Sequence, residues 1–111
     1  MRLVVVESPY GNADEKIVER NIAYAVAAAK DCLRRQESPF LSHLYLPRIL
    51  ADGDPVQRQL GIKAGLAWAE KAEATVVYTD YGISLGMAIG IERAERAGRL
   101  VEYRKILGDD V

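Results

Sequence analysis

Apolar and polar residues alternate in blocks along this chain, and the first two blocks predict a strand followed by a helix. Residues 3–6 form an apolar run, mostly of β-branched valines, and the turn residues Pro9 and Gly11 follow it. Such a run is typical of a strand that is buried on both faces. Apolar residues then recur at three- and four-residue intervals, which predicts a helix over about residues 13–35.

The same alternation continues to the end of the sequence. Pro39 ends the first helix, because the residue before a proline is driven out of the helical conformation. The remaining blocks predict a second strand at residues 40–44, a second helix from Asp54-Pro55, a third strand at 74–79, a third helix up to Gly98 and a last strand at 100–106. The predicted order is βαβαβαβ.

Local signals support the predicted helix ends. Asn12 stands three residues before Glu15, as in a capping box. Asp54 precedes a proline, which has no amide to leave unpaired at the start of a helix. An apolar stripe along the second helix, which includes Trp68, predicts that this helix packs into the core.

Strands that alternate with helices predict a single α/β domain, residues 1–111, with a three-layer, Rossmann-like (flavodoxin-like) architecture. Right-handed crossovers give a parallel sheet of about four strands with helices on both faces. Ligands of such folds bind beyond the carboxyl ends of the strands. Three loops, residues 8–12, 43–54 and 80–86, meet at that edge and form the expected binding region.

The composition of the chain excludes several classes of partner but says little about the fold. The chain has 111 residues, of which 50% are apolar and 28% charged, and its net charge of −1 comes without a basic cluster. We therefore expect neither a nucleic acid polymer nor a membrane as a partner. The first apolar run is too short for the core of a signal peptide, so a cytoplasmic location is expected. One cysteine and one histidine predict neither an intrachain disulfide nor a metal site, and no other cofactor is expected.

The loop after the third strand carries the most unusual residues. It places Asp80 and Ser84 between a buried strand and the start of a helix, and both are candidate catalytic residues. Its other members are predicted to contact a ligand: Gly82, Ile83, Gly86 and Met87. The alternative is that Asp80 and Ser84 only cap the helix, since either residue would suffice.

The loop after the first strand predicts the other part of the same site. Pro9, Tyr10, Gly11 and Asn12 join that strand to a helix, and the ring of Tyr10 is expected to cover a base or a ribose. The alternative is a simple turn with Asn12 as its cap. Asn21 lies off the apolar stripe of the helix and is a further candidate for ligand contact, the alternative being a position that faces solvent or an interface.

Two titratable side chains end strands at the same edge. Glu7 closes the first strand, where burial would raise its pKa and suit it to acid–base catalysis, and an ion pair with Arg48 or Arg58 is the alternative. His43 is a candidate ligand-binding residue, although a lone histidine is more often a hydrogen-bonded loop residue. Cys32, on the packing side of the first helix, is expected to be an inert core thiol.

Together these features resemble the nucleoside 2-deoxyribosyltransferase superfamily, in particular its small bacterial and phage members. The resemblance rests on the Tyr/Gly loop after the first strand, on Asn21, and on the segment from Tyr78 to Met87. It implies cleavage of an N-glycosidic bond by a glutamate nucleophile. Asp80 matches the superfamily's loop aspartate. The residue six positions further on, where the nucleophile is expected, is Gly86.

Two main hypotheses about function follow. The first is a domain that binds a nucleoside or nucleotide without turnover, because the nucleophile is not in place. The second is an enzyme, an N-glycosidase or a deoxyribosyltransferase, in which Asp80 or Glu7 provides the anionic centre. A structural assembly protein is a third. The resemblance also implies a homo-oligomer, a dimer or larger, in which Tyr103 and Arg104 complete a neighbour's pocket, and the alanine-rich first helix would favour close packing.

Overall fold

A computed structural model describes residues 1–51 and 53–108 of the chain. The elements in this part, in chain order, are β1 (Arg2–Glu7), α1 (Glu15–Arg34), β2 (Glu37–Phe40), α2 (Ser42–Tyr45), a 3₁₀ turn (Leu46–Arg48), α3 (Pro55–Lys71), β3 (Ala74–Tyr78), α4 (Leu85–Arg96) and β4 (Leu100–Arg104).

The strands of the described residues form one parallel sheet in the order β2-β1-β3-β4. The central strand β3 is buried along its whole length, as its unbroken apolar run requires. Helix α1 covers one face of the sheet, and α3 and α4 lie on the other. The predicted three-layer α/β fold is therefore confirmed.

The main core lies between α1 and the sheet. Residues alternate between the two faces of a strand, and the even-numbered residues of β1 and β3 point toward α1. Ala25 and Ala28 of α1 are completely buried in this core, beside Cys32. The alanines of α1 therefore allow the helix to pack closely on its own sheet. The principal strand residues of the core are Val4, Val6, Ala74, Val76 and Tyr78.

The opposite face is covered less completely. Met87 and Ile91 of α4 pack on Val77, and they form a second, smaller core. Helix α3 contributes no buried residue. An open space consequently remains over Val5 and the rest of the middle of this face.

The second strand differs from the prediction. β2 spans Glu37–Phe40, while residues 42–44, which were predicted to be part of the strand, belong to the short helix α2. β2 is an edge strand, where Pro39 is tolerated because its missing N–H is not required by a neighbour on the outer side. Pairing of Glu37 with Arg2 of β1 sets the register, and the apolar pattern of residues 40–44 does not show it.

The predicted capping residue of α1 is also wrong. Asp14 is the N-cap, and its side chain accepts a hydrogen bond from the backbone N–H of Lys16 at 2.9 Å. Asn12 accepts from the N–H of Asp14 instead, and so shapes the turn before the helix. The other two predicted helix ends are confirmed, since Asp54 caps α3 and Gly98 has a φ of +70° after α4.

The apolar stripe of α3 does not enter the core, contrary to the prediction. Leu60 and Trp68 are 54% and 56% exposed. The inward side of α3 contains Gly61 and Gly65, and their lack of a side chain lets the segment 42–50 lie against the helix. A periodicity argument misses this side, because glycine gives no apolar signal.

No helix in the described ranges has the length and apolar content needed to cross a membrane. The same ranges hold no group of three or more His, Cys, Asp or Glu side chains arranged to bind a metal ion.

Candidate functional site

A cavity of about 390 Å³ lies on the sheet face that α3 and α4 leave open. Val5, Glu7 and Thr75 form its floor, and the two helices form its walls. Tyr10 and the segment 40–50 close the end at the carboxyl edge of the sheet. The volume is in the range of sites for small molecules, and its position agrees with the rule for ligands of parallel sheets.

Glu7 lies at the floor of this cavity. Its side chain makes no hydrogen bond or ion pair with any residue that the structure describes, so the alternative of a pair with Arg48 or Arg58 is not realised. Burial raises the pKa of Glu7 to about 7, and the positive charges of Arg99 and Arg93 offset only part of this rise. The carboxyl group can therefore gain or lose a proton near neutral pH, as a general acid or base must.

Gly90 on α4 makes room for the carboxyl group of Glu7. A Cβ atom added at Gly90 would lie 2.5 Å from Cδ of Glu7 and would overlap its oxygens. Gly86, one turn earlier, also lines the cavity, but an added Cβ there would meet nothing within 4 Å. The backbone of α4 thus forms one side of the pocket that holds Glu7.

These two glycines provide a matched pair of variants. Gly86→Ala is expected to stabilise the helix by up to about 1 kcal/mol, the usual difference between the two residues. Gly90→Ala gains a similar amount but displaces the side chain of Glu7 toward solvent, so the pKa of Glu7 should fall toward its ordinary value. Urea unfolding and NMR titration of the Glu7 carboxyl carbon measure both effects. An unchanged Glu7 pKa in Gly90→Ala would contradict this account.

Tyr10 and His43 line the cavity next to Glu7. Their rings are 5.9 Å apart at an angle of 53°. Nε2 of His43 is 2.8 Å from Oγ of the buried Ser8. Burial lowers the pKa of His43 to about 4, so the ring is neutral at neutral pH. The two rings give the cavity an uncharged aromatic end that suits a flat heterocycle.

Asn21 holds the backbone at this aromatic end of the cavity in place. Its side chain is buried, and Nδ2 donates to the backbone carbonyl of Tyr10 at 2.9 Å. Oδ1 accepts from the guanidinium of Arg20. Asn21 therefore positions the Tyr10 loop and does not line the cavity itself.

Asp80 lies outside the cavity lining, in a set of hydrogen bonds that tie distant parts of the chain together. Oδ1 accepts from the hydroxyl of Tyr24 at 2.6 Å and from the N–H of Ile106 at 2.9 Å, and Oδ2 accepts from the N–H of Leu107 at 3.1 Å. Burial acts to raise the pKa of Asp80, but these hydrogen bonds hold it below its ordinary value. A role of Asp80 in ligand binding remains a prediction, and its carboxylate already has structural partners.

Asp80→Asn is therefore expected to destabilise the protein by about 1 to 3 kcal/mol, because an amide NH₂ would face an N–H donor. Asp14→Asn is the control, since asparagine is as good a helix cap as aspartate. Urea unfolding of both variants measures the difference. If Asp80→Asn costs no more than Asp14→Asn, the structural role of these hydrogen bonds is wrong.

The remaining predicted site residues do not line the cavity. Ser84 caps α4 through the N–H of Met87 at 3.3 Å, which matches the capping alternative. Met87 itself is buried in the smaller core. Gly82 has a φ of +83°, which the turn requires. The cavity thus brings together Glu7, Tyr10, His43 and Gly86, whereas Asp80, Ser84, Pro9, Gly11, Asn12, Asn21, Gly82, Ile83 and Met87 are not among its lining residues.

Sequence reasoning missed most of the cavity wall, including three residues that shape it and set its charge. Gly90 and Arg93 lie on α4, and Arg99 precedes β4. Gly86, Gly90 and Arg93 recur at four- and three-residue spacing, which places them on one side of a helix. That spacing was the available signal, but it points to a site only when a carboxylate is known to lie opposite.

The chain is an α/β protein with a parallel sheet and a cavity, lined by a carboxylate, over one face of that sheet. The chain belongs to the family described as "Domain of unknown function (DUF7768)", whose model matches residues 2–104. No curated protein matches the chain. Among solved structures, a 2-deoxyribosyltransferase from Bacillus psychrosaccharolyticus is similar, with a TM-score of 0.68 and 17% identity over 98% of this chain and 76% of that chain. The resemblance inferred from the sequence is confirmed at the level of the fold.

Proposed function

We propose that this chain binds a nucleoside or a nucleotide in the cavity over β1 and β3. The observation that carries the proposal is Glu7, a carboxylate that lies in the cavity without a partner among the described residues. A buried carboxylate without a partner is costly, and such groups are concentrated at functional sites. The hydroxyl groups of a sugar are suitable donors to it.

The shape and polarity of the cavity support the same class of ligand. The aromatic end at Tyr10 and His43 suits a base, and Glu7 in the same cavity can accept hydrogen bonds from the sugar. The similar fold of a 2-deoxyribosyltransferase supports this choice of ligand. A cytoplasmic location, expected from the sequence, belongs to the same proposal.

Cleavage of the N-glycosidic bond is the second candidate function. The observation that favours it is the contact of Glu7 with α4 at Gly90. The resemblance places the superfamily's nucleophile on this helix, at the position of Gly86, and Glu7 reaches the same helix from β1. A carboxylate there can stabilise positive charge at the anomeric carbon while the bond to the base breaks. Water then supplies the hydroxyl group of the free sugar, and the proton that the water loses balances the one that the departing base takes up.

Incubation with a panel of nucleosides and nucleotides tests both candidates. Calorimetric titration is expected to show binding of at least one member, and Glu7→Gln should weaken it. Chromatography of the same mixtures detects free base, which only turnover produces. Binding without free base supports the first candidate, and free base that disappears in Glu7→Gln supports the second. The proposal fails if no member of the panel binds.

We also propose that the protein self-associates. Helix α3 supports this proposal, whereas the sequence suggested helix α1. Ala25 and Ala28 of α1 are used in the core, and Arg104 is buried in an ion pair with Glu37. Helix α3, by contrast, exposes Val56 and Leu60 by 70% and 54%. An apolar face of this kind is typical of a surface that another protein covers.

We therefore expect the protein to be at least a dimer by light scattering at concentrations on the order of tens of micromolar, where a typical specific interface persists. Leu60→Glu on α3 should give a monomer. Leu33→Glu, at an exposed leucine of α1, is the matched control and should not. A wild-type monomer at these concentrations would contradict the expectation.

A further inference from the structure

The charges around the cavity are unequal. Arg58, Arg93 and Arg99 line it, and Glu7 is the sole carboxylate that does so within residues 1–51 and 53–108. A concave site with an excess of positive charge attracts anions, because its low-dielectric walls focus the field. The ligand is therefore expected to carry a negative group in addition to the parts that meet Glu7.

Arg99 is held in place by neutral groups. Its Nε donates to Oγ1 of Thr75 at 3.1 Å, and Nη1 donates to the backbone carbonyl of Ala69 at 2.8 Å. These bonds fix the orientation of the guanidinium without neutralising its charge. Nη2 donates to no residue that the structure describes, so this part of the group is available to a ligand.

Arg93 extends the same positive region from α4. Its neighbours four positions away along the helix are Ile89 and Ala97, so no acidic side chain lies beside it on either turn. It makes no ion pair in the described part of the chain. Arg96, only three residues further on, is paired with Glu92 at 2.8 Å. The helix thus gives the arginine outside the cavity a carboxylate partner and gives none to the arginine of the cavity wall.

We infer that Arg93 and Arg99 form a subsite for the phosphate group of a nucleoside monophosphate. Guanidinium groups are planar and bind two phosphate oxygens at once, which makes arginine the usual residue for this purpose. The sugar and base would then extend toward Glu7 and Tyr10. That part rests on the proposed function, whereas the phosphate subsite stands on the two arginines alone.

Calorimetric titration with a 2′-deoxynucleoside, its 5′-monophosphate and inorganic phosphate tests the subsite. The monophosphate is expected to bind wild-type protein at least about tenfold more tightly than the nucleoside, the effect of one charge-assisted hydrogen bond. Arg93→Gln should weaken binding of the monophosphate much more than binding of the nucleoside, and so remove this preference. Arg96→Gln, the matched control on the same helix, should retain the preference.

The outcomes separate the subsite from the proposed function. Equal affinities of nucleoside and monophosphate for wild-type protein would overturn the subsite and leave the proposed function standing. Binding of inorganic phosphate that is lost in Arg93→Gln, together with no binding of any nucleoside or nucleotide, would support the subsite and overturn the proposed function. If Arg96→Gln loses the preference for the monophosphate as Arg93→Gln does, the effect is one of overall charge, and the subsite is overturned. Absence of binding by all three ligands would overturn both.

Discussion

Glu7→Gln is expected to make the protein more stable above pH 7 and to weaken its binding of ligand at the same time. In the folded protein the pKa of Glu7 is about 7, against an ordinary value of 4.5, because burial disfavours the charged form. The folded state therefore holds a proton between these pH values that the unfolded state has released. The stabilising effect of this proton is complete below about pH 4.5 and is lost as the pH rises through 7.

Glutamine has nearly the same shape and carries no charge, so the variant avoids the cost of ionising Glu7 in the cavity. That cost is up to about 3 kcal/mol above pH 7 and close to zero at pH 4. Urea unfolding of the wild type and the variant at pH 4.5, 6 and 8 measures the difference, which should grow with pH. Glu92→Gln, at an exposed position on α4, is the control and should show no such trend.

Binding is expected to change in the opposite direction. A carboxylate that accepts a sugar hydroxyl makes a charge-assisted hydrogen bond, and its loss weakens affinity by at least about tenfold. A residue that serves only the fold cannot give both higher stability and weaker binding when it is replaced, because its removal would lower stability. Reduced stability of Glu7→Gln at pH 8 would therefore remove Glu7 from the candidate site.

Most of the fold could be predicted because its signals are local. The apolar run of β1 and the helical spacing in α1 depend only on neighbouring residues, and so do the caps at Asp54 and Gly98. The second strand could not be placed in the same way. Its register follows from the pairing of Glu37 with Arg2, thirty-five residues away, and an edge strand of four residues gives too short an apolar pattern to show it.

The candidate site was predictable where a residue ends a strand at the carboxyl edge. Glu7 ends β1 and His43 follows β2, and the topology rule for parallel sheets was enough to find them. Gly90, Arg93 and Arg99 line the cavity only because α3 and α4 leave the sheet face open, which is a tertiary feature. Asp80 shows what the same rule does not decide.

Asp80 also stands at a strand end, but its partners come from α1 and from the last described residues of the chain. The N–H groups of Ile106 and Leu107 and the hydroxyl of Tyr24 satisfy its oxygens. No local pattern in the sequence connects these positions. A polar residue at a strand end therefore identifies the edge at which a ligand binds, but it does not distinguish a ligand-binding carboxylate from one that holds the chain together.

Glu37→Gln is expected to cause the largest loss of stability of any substitution considered, about 3 to 5 kcal/mol. Glu37 accepts two hydrogen bonds from Arg104, at 2.7 and 2.8 Å, and both side chains are almost completely buried. Arg104 also donates to the hydroxyl of Tyr78. These hydrogen bonds from Arg104 lower the pKa of Glu37 to about 2, even though burial alone would raise it. Glutamine would remove the carboxylate that pairs with the buried Arg104, and only the more distant Glu102, at 3.7 Å, would remain near this charge.

The pH dependence of stability provides an independent check on this ion pair. The depressed pKa means that Glu37 contributes stability above its ordinary pKa of 4.5, and this contribution is lost as the pH falls toward 2. Wild-type protein should therefore lose stability over that interval, and Glu37→Gln should lose much less. Glu102→Gln, at a partly exposed carboxylate that also faces Arg104, is the control and should cost less than about 1 kcal/mol.

A double variant shows whether the cost comes from the charge left unpaired. Replacing Glu37 with leucine and Arg104 with methionine removes both charges and keeps the volume apolar, a change that is often neutral in buried ion pairs. The double variant should be more stable than Glu37→Gln by about 2 kcal/mol or more, although Arg2 then loses one of its two carboxylate partners. If Glu37→Gln costs less than about 1 kcal/mol, the pair does not hold β2 and β4 under α1, and the stability of this face comes from its apolar core alone.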